Sequence, residues 1–177
     1  MSVSLAKAIL ILPGTALVYV PGLILWLTRD SAMAASFAGP ATIRFWIGIA
    51  AIGPGLVLAV WTVRLFTTVG EGTPAPWDPP KKFVVTGPYR HVRNPMIVGV
   101  LFLQLAEALV LSSWPLAGWM VFFFILNNVY FQFSEEVGLE RRFGNDYSQY
   151  KAHVSRWVPR WTPYLPEHAG ENHSTTN

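Results

Sequence analysis

The sequence predicts an all-α fold: a multi-pass membrane helical bundle of about four transmembrane helices, with a C-terminal helical hairpin and a short cytosolic helical tail. Two observations lead to this prediction. Hydrophobic residues make up 52% of the 177 positions and charged residues only 13%, whereas a soluble domain carries about 25% charged residues. The apolar residues also form runs close to the ~20 residues that a helix needs to cross a bilayer.

Four apolar runs are the predicted spans, residues 5–28, 44–66, 95–111 and 114–133. Proline and glycine interrupt the first two runs, which membrane helices tolerate because neighbouring groups satisfy the freed backbone. Only Ser112-Ser113 separates the last two runs. We therefore expect these two to fold back on each other as an antiparallel hairpin.

The segments outside the spans are also informative. The connection over residues 67–94 is rich in proline, which predicts a non-helical loop and, at this length, a functional one. After the last span, Ser134 is expected to cap a helix that begins at Glu135. A further short helix is expected to start at Asn145 or Asp146. Tyr147, Tyr150 and Val154 would share one face, which would lie on the bundle or at the membrane interface.

The chain is thus predicted to have three parts. Residues 1–70 hold two N-terminal transmembrane helices. Residues 71–166 hold the loop, the transmembrane hairpin and the C-terminal helices. Residues 167–177 are polar and are expected to be disordered.

Charge and cysteine content restrict the function classes. The net charge is +3 and there is no cysteine. The basic residues concentrate in the 67–94 loop and after residue 140, which places that loop and both termini in the cytosol. This bias accounts for the positive excess, so we predict membrane lipids as partners and no nucleic acid. Without cysteine, and with histidines that lack metal-ligand spacing, no metal site is predicted.

Two short polar blocks flank the predicted hairpin. One ends in Asn94-Pro95 and the other is Glu135-Glu136, and the fold-back brings both to one membrane surface. Pro95 suits the first turn of a helix and Asn94 suits its N-cap. Such an N-terminus, preceded by two arginines, favours an anionic group. The glutamates could bind ribose hydroxyls or a cation, or they could pair with those arginines in a structural role.

Polar residues inside the spans also have more than one interpretation. Asn127 and Asn128 need partners in a hydrocarbon environment, and these could be another helix or a cofactor. Gly99, at about the same depth, would permit the close backbone approach that either role uses. Glu107 is an acid within a span, but it lies near the hairpin tip, where we expect a structural or interfacial role.

Ordered blocks between Lys81 and Trp161 indicate a family. They are Gly87-Pro88-Tyr89-Arg90-His91-Val92-Arg93-Asn94-Pro95-Met96, Glu135-Glu136, Leu139-Glu140-Arg141-Arg142-Phe143-Gly144 and Val158-Pro159-Arg160. This arrangement resembles the isoprenylcysteine carboxyl methyltransferase and phospholipid methyltransferase family. The resemblance implies an integral membrane methyltransferase that uses S-adenosylmethionine. It also implies a cofactor pocket at the cytosolic end of the hairpin, closed by the C-terminal segment.

The resemblance further implies site residues. One side of the cofactor pocket would consist of Arg90, Arg93, Asn94, Pro95 and Gly99, and the other of Glu135 and Glu136. Tyr89 and Asn128 complete the predicted cofactor contacts. The predicted catalytic residues are His91, Arg90 and Glu136. The family often has histidine at the position of Asn94 and tyrosine at that of Ile97, so the acceptor does not carry over.

The predicted acceptor is lipophilic or small, and a lipophilic acceptor would enter from the bilayer. A small protein of this kind is expected in a bacterial inner membrane. A carboxylate or thiolate acceptor needs no general base, whereas an amine would need His91 or a glutamate. Two alternatives remain open, an NADPH-dependent reductase of the sterol-reductase type and a non-catalytic membrane protein. The acceptor, its attacking atom and the oligomeric state cannot be read from these patterns.

Overall fold

The computed structural model describes residues 3–73, 75 and 77–166, and the predicted disordered tail lies outside them. Every regular element in these residues is helical, which confirms the predicted fold class. The six α-helices are α1 Val3–Gly14, α2 Val20–Thr28, α3 Ile43–Thr68, α4 Pro95–Val110, α5 Trp114–Tyr130 and α6 Glu136–His153.

A π-helical turn, Thr15–Tyr19, joins α1 and α2 into one long apolar helix. Its Val20 N–H bonds to the Thr15 carbonyl, five residues back. The next residue, Pro21, has no N–H to offer the Ala16 carbonyl in the same pattern. Two side chains take that place: Gln104 Nε2 of α4 at 3.1 Å and Trp119 Nε1 of α5 at 3.0 Å. One freed carbonyl therefore ties the first helix to both helices of the hairpin.

α3 and α4 pack with their backbones close together. A Cβ added to Gly99 would lie 3.0 Å from the Gly55 carbonyl oxygen, and one added to Gly55 would lie 3.1 Å from the Gly99 oxygen. The two glycines face each other, so neither position has room for a side chain. This pairing follows the small-residue packing of membrane helices.

Three helices within the described part of the chain are long and apolar enough to cross a membrane: Leu5–Thr28, Ile43–Thr68 and Trp114–His153. α4 is shorter. Its 16 residues extend about 24 Å at 1.5 Å per residue, which is less than the ~30 Å of a hydrocarbon core. The third predicted span thus forms a helix over nearly the expected residues but reaches less far than its three neighbours.

The predicted hairpin is present, with its turn at the two serines. Ser112 has a positive φ of 43°, and the Ser113 side chain caps α5 by accepting from the Leu116 N–H at 3.4 Å. The loop after α2 docks on this turn, since the Ser36 N–H donates to the Leu111 carbonyl at 3.0 Å and the Ala38 N–H to the Val110 carbonyl at 2.8 Å. We call this the tip end of the bundle and the opposite one the rim end.

The prediction that Ser134 caps a new helix is wrong. The chain passes from α5 into α6 through a second π-helical turn, Phe131–Glu135, and no helix begins at Ser134. The backbone stays helical across this turn, so no first turn with free N–H groups exists for the serine to cap. The real break comes at Gly144, whose φ of 53° and ψ of −126° interrupt α6. A new helical segment follows directly, as predicted.

A small core holds the rim end together. Tyr147, Tyr150 and Val154 are buried with Val85, which confirms the predicted face of the last helical segment. The Phe83 ring packs at 5.1 to 5.8 Å from the rings of Phe143, Tyr147 and Tyr150. The proline-rich loop is thus fixed beneath α6 rather than left as a free connector.

Candidate functional site

The polar rim consists of residues 86–94, which lead into α4, together with Glu135, the last residue of the second π-helical turn, and Glu136, the first residue of α6. Arg93 Nη1 donates to Glu136 Oε1 at 3.0 Å, although the two residues lie on opposite arms of the hairpin. The predicted fold-back is therefore confirmed, and both polar blocks lie at the same end of the bundle.

Glu136 is the most heavily bonded residue of the rim. Its side chain is only 6% exposed and its carboxylate contacts three cations: Arg93 at 3.0 Å, Arg156 at 2.7 Å and Lys151 at 3.2 Å. These cations come from three different segments. A buried carboxylate with three cationic partners joins those segments and has little capacity left for a ligand.

Glu135 has a different environment from its neighbour. It is half-buried, and its side chain makes no hydrogen bond or salt bridge within residues 3–73, 75 and 77–166. It lies near Tyr89, which is buried in the short 3₁₀ helix Gly87–Arg90. Burial raises the pKa of the Tyr89 phenol well above its usual value, with smaller contributions from Tyr150 and Glu135. The Tyr89 phenol therefore stays neutral.

Residues 154–164, the C-terminal strap, cross over the first polar block. The strap's Arg160 N–H donates to the His91 carbonyl and its Tyr164 N–H to the Arg90 carbonyl, both at 2.9 Å, while the Arg93 N–H donates to Ser155 at 3.0 Å. Tyr150 adds a fourth bond, from its hydroxyl to the Tyr89 carbonyl at 2.6 Å. The backbone of the block is thus held from the C-terminal side.

The strap also determines which ring nitrogen of His91 carries the proton. His91 Nδ1 lies 2.8 Å from the Arg160 carbonyl oxygen. Because a carbonyl only accepts hydrogen bonds, Nδ1 carries the proton in this contact. The neutral imidazole then has its lone pair on Nε2, the atom that can accept a proton or a hydrogen bond.

The start of α4 differs in one respect from expectation. The helix begins at Pro95, as predicted, and the Asn94 carbonyl accepts the Val98 N–H at 3.1 Å. The Asn94 side chain, however, makes no capping hydrogen bond, so its predicted capping role is wrong. Its φ of −121° and ψ of 56° lie outside the β region typical of side-chain caps.

The Arg90 Nε donates to the Val85 carbonyl at 3.3 Å.

The two neighbouring asparagines of α5 have separate environments. Asn127 Nδ2 donates to the Phe123 carbonyl of its own helix at 2.8 Å. Asn128 Oδ1 accepts from Arg156 Nη1 at 3.1 Å and from Trp157 Nε1 at 2.9 Å. Asn128 therefore belongs to the rim network, whereas Asn127 does not. Gly99 faces α3 through its Cα.

Three rim residues were not among the predicted site residues: Lys151, Arg156 and Trp157. Lys151 and Arg156 were counted only among the basic residues that set the topology, and Trp157 was given no role. One feature of the sequence could have pointed to them. Glu135-Glu136 follows an apolar span directly, and acids in such a position need cationic partners close by.

An apolar groove of about 340 Å³ lies between the two arms of the hairpin. It is lined by Val98, Leu101, Phe102, Leu105, Met120, Val121 and Phe124. The Phe124 ring lies 5.0 Å from the Trp157 ring of the strap, and Trp157 bonds to Asn128. The groove therefore ends at the polar rim.

Two buried polar atoms of the rim, Thr86 Oγ1 and Arg93 Nε, have no hydrogen-bond partner among the described residues. Buried polar groups are nearly always satisfied. Thr86 Oγ1, Arg93 Nε and the side chain of Glu135 are thus polar groups of the rim that the described residues leave without a hydrogen bond.

A family model described as phospholipid methyltransferase matches residues 43–146, which is more than half of the chain and covers α3, α4, α5 and most of α6. The searches of curated proteins and of solved structures returned no match.

Proposed function

The chain belongs to the phospholipid methyltransferase family, and we propose from this membership and from the site that it transfers the methyl group of S-adenosylmethionine to a lipophilic acceptor. Family membership by itself implies a membrane methyltransferase. One observation carries the finer proposal: an apolar groove between two membrane helices ends at a polar rim that keeps an unpaired carboxylate.

The residues at the rim fit the cofactor. S-adenosylmethionine carries a carboxylate, an ammonium group and ribose hydroxyls. Glu135 is a suitable partner for the ammonium or the hydroxyls, and the unpartnered Arg93 Nε is a suitable donor to the carboxylate, beside the N-terminus of α4. When bound, the cofactor supplies an electrophilic methyl group on a sulfonium.

The protein's contribution to such a reaction is mainly positioning, because methyl transfer is an in-line displacement. Glu136 holds the strap and α4 at fixed positions through its three cations. The groove would hold the apolar part of the acceptor within the bilayer, and its volume falls in the range of ligand pockets, roughly 300–1,000 Å³.

His91 has the protonation pattern of a base in this proposal. Its Nδ1–H is held by the Arg160 carbonyl, so Nε2 is available to take a proton from an amine acceptor. A carboxylate acceptor would not need this step. We therefore assign His91 a catalytic role for an amine acceptor and Arg90 and Arg93 roles in cofactor binding.

The orientation follows from charge. The rim end carries the basic 67–94 loop and the basic C-terminal segment, so we assign it to the cytosol by the positive-inside rule, with both termini on the same side. Cytosolic S-adenosylmethionine would then reach the rim directly. We further propose that the membrane is a bacterial inner membrane.

The test adds increasing concentrations of a ligand to the detergent-purified protein and measures the melting temperature at each concentration. S-adenosylhomocysteine should raise the melting temperature with concentration, by an amount equivalent to about 2.7 kcal/mol at 100 times Kd, and NADPH should not. Stabilisation by NADPH alone would favour a reductase. Stabilisation by neither ligand would overturn the proposal in favour of a non-catalytic protein.

A second measurement addresses the reaction itself. Membranes containing the protein are incubated with S-adenosylmethionine that carries a labelled methyl group, and label is counted in the organic phase after extraction. We expect labelled lipids only in membranes that contain the protein, and no labelled lipids with the Glu135→Ala variant. Label confined to the aqueous phase would contradict a lipophilic acceptor.

A further inference from the structure

The side-chain amide of Asn128 is clamped from the strap by residues outside the family match. Its Oδ1 accepts from Arg156 Nη1 at 3.1 Å and from Trp157 Nε1 at 2.9 Å. Arg156 is in turn held by Glu136 at 2.7 Å. The position of this amide is thus fixed by the same network that holds the rim together.

The clamp also fixes which way the amide faces. Oxygen and nitrogen of an asparagine are assigned from their hydrogen-bond partners, and here both partners are N–H donors. Only the oxygen can accept from them, so the NH₂ group faces away from Arg156 and Trp157. Within the described part of the chain this NH₂ group has no acceptor, although the residue is half-buried.

The location of the free NH₂ group connects it to the groove. Asn128 lies one helical turn after Phe124, on the same face of α5, and Phe124 lines the groove. The Trp157 ring packs 5.0 Å from the Phe124 ring and 6.0 Å from the Phe131 ring. Asn128 therefore lies at the point where the apolar groove gives way to the polar rim, with two N–H donors that no described residue accepts.

We propose that Asn128 is a specificity-determining residue whose NH₂ group donates a hydrogen bond to an oxygen of the acceptor's polar group, either a phosphate or an ester carbonyl oxygen. The proposal rests on the proposed function, because it treats the groove as the acceptor site. Arg156 and Trp157 are positioning residues in this scheme, since they act through Asn128. The acceptor would then be a lipid with an oxygen acceptor next to its chains.

The test compares two asparagine-to-aspartate variants. Asn128→Asp keeps the oxygens that accept from Arg156 and Trp157 but has no NH₂ group to donate. Asn127→Asp adds the same charge one residue away and is the matched control. The probes are dioleoylphosphatidylethanolamine, dioleoylglycerol, which keeps the esters without the phosphate, and squalene, which has no oxygen. Bound probe is counted by native mass spectrometry in detergent.

We expect Asn128→Asp to weaken phosphatidylethanolamine binding about tenfold, the equivalent of one hydrogen bond of about 1.4 kcal/mol, and to leave squalene unchanged. An equal loss with dioleoylglycerol identifies an ester oxygen, and no loss with it identifies the phosphate. Equal binding in Asn128→Asp and Asn127→Asp, or an equal loss for squalene, overturns the proposal.

Two further measurements keep the outcome clear. Trp157→Phe retains an aromatic ring against Phe124 but loses one of the two N–H donors that hold Asn128. It should therefore weaken phospholipid binding by a smaller factor, about threefold. Unchanged phospholipid binding in this variant would contradict the positioning role of Trp157. Calorimetry with S-adenosylhomocysteine on the same samples tests the cofactor separately. If the unmodified protein does not bind S-adenosylhomocysteine, the proposed function is refuted. The comparison of lipid binding still decides the role of Asn128.

Discussion

Arg93 and Glu136, separated by 43 positions in the chain, form a buried salt bridge of 3.0 Å at the polar rim. The side chains are 11% and 6% exposed. Arg93 lies two residues before the start of α4, and Glu136 begins α6. The contact therefore joins the two arms of the hairpin at the end opposite to its turn. It also positions the neighbouring Glu135, which takes no part in the salt bridge.

Removing the charge of Glu136 should be strongly destabilising. In Glu136→Gln, three cations lose their shared carboxylate, and an unpaired buried charge costs about 3–5 kcal/mol. Glu140→Gln is the control, because Glu140 is 41% exposed and bonds only to Lys151 at 2.8 Å, so its loss should cost about 1 kcal/mol or less. Denaturation in mixed micelles measures both. Similar stabilities of the two variants would contradict the central role of Glu136.

The neighbouring acid should behave in the opposite way. Glu135 has no partner among the described residues, so Glu135→Gln should leave the melting temperature nearly unchanged. We expect it to weaken S-adenosylhomocysteine binding at least tenfold, because a charged hydrogen bond to the ligand is lost. Calorimetry gives the affinity, and Glu107→Gln, near the tip end, is the control that should bind normally. Unchanged affinity in Glu135→Gln would remove this residue from the proposed site.

Much of the rim could be predicted because its geometry follows from one fold-back. Two apolar runs split by Ser112-Ser113 bring Arg93 and Glu136 together whatever the details of packing. The start of α4 at Pro95 was equally accessible, since a proline in a first helical turn is a strong local signal.

The rest depended on contacts that no local pattern records. The sequence does not distinguish Glu135 from Glu136, because which acid turns inward depends on the π-helical turn before α6. The clamp on Asn128 comes from Arg156 and Trp157, 28 and 29 residues later, in a strap without regular structure. Likewise, Gly99 was predicted to line the cofactor pocket, a role that stays a prediction, and its closest contacts are with α3.

The glycine contact between α3 and α4 should not tolerate even one methyl group. In Gly99→Ala, the new Cβ would lie 3.0 Å from the Gly55 oxygen and 3.2 Å from the Ala59 nitrogen, so backbones must move apart at a cost of about 1–3 kcal/mol. Gly118→Ala is the matched control, since nothing lies within 4 Å of its added Cβ and alanine favours the helix. A lower melting temperature is expected for the first variant alone. Equal melting temperatures would show that α3 and α4 can separate freely.

The link between the first helix and the hairpin should depend on Pro21. Gln104 is 1% exposed, and with Trp119 it supplies the donors that the Ala16 carbonyl lacks. Removing both donors, in Gln104→Leu with Trp119→Phe, leaves a buried carbonyl unsatisfied at a cost of about 1–3 kcal/mol. In a Pro21→Ala background, the restored N–H can bond within the helix, so the same pair of changes should cost less. A double-mutant cycle on denaturation free energies should give a coupling of at least about 0.5 kcal/mol. Strict additivity would mean that Pro21 does not create the need for these donors.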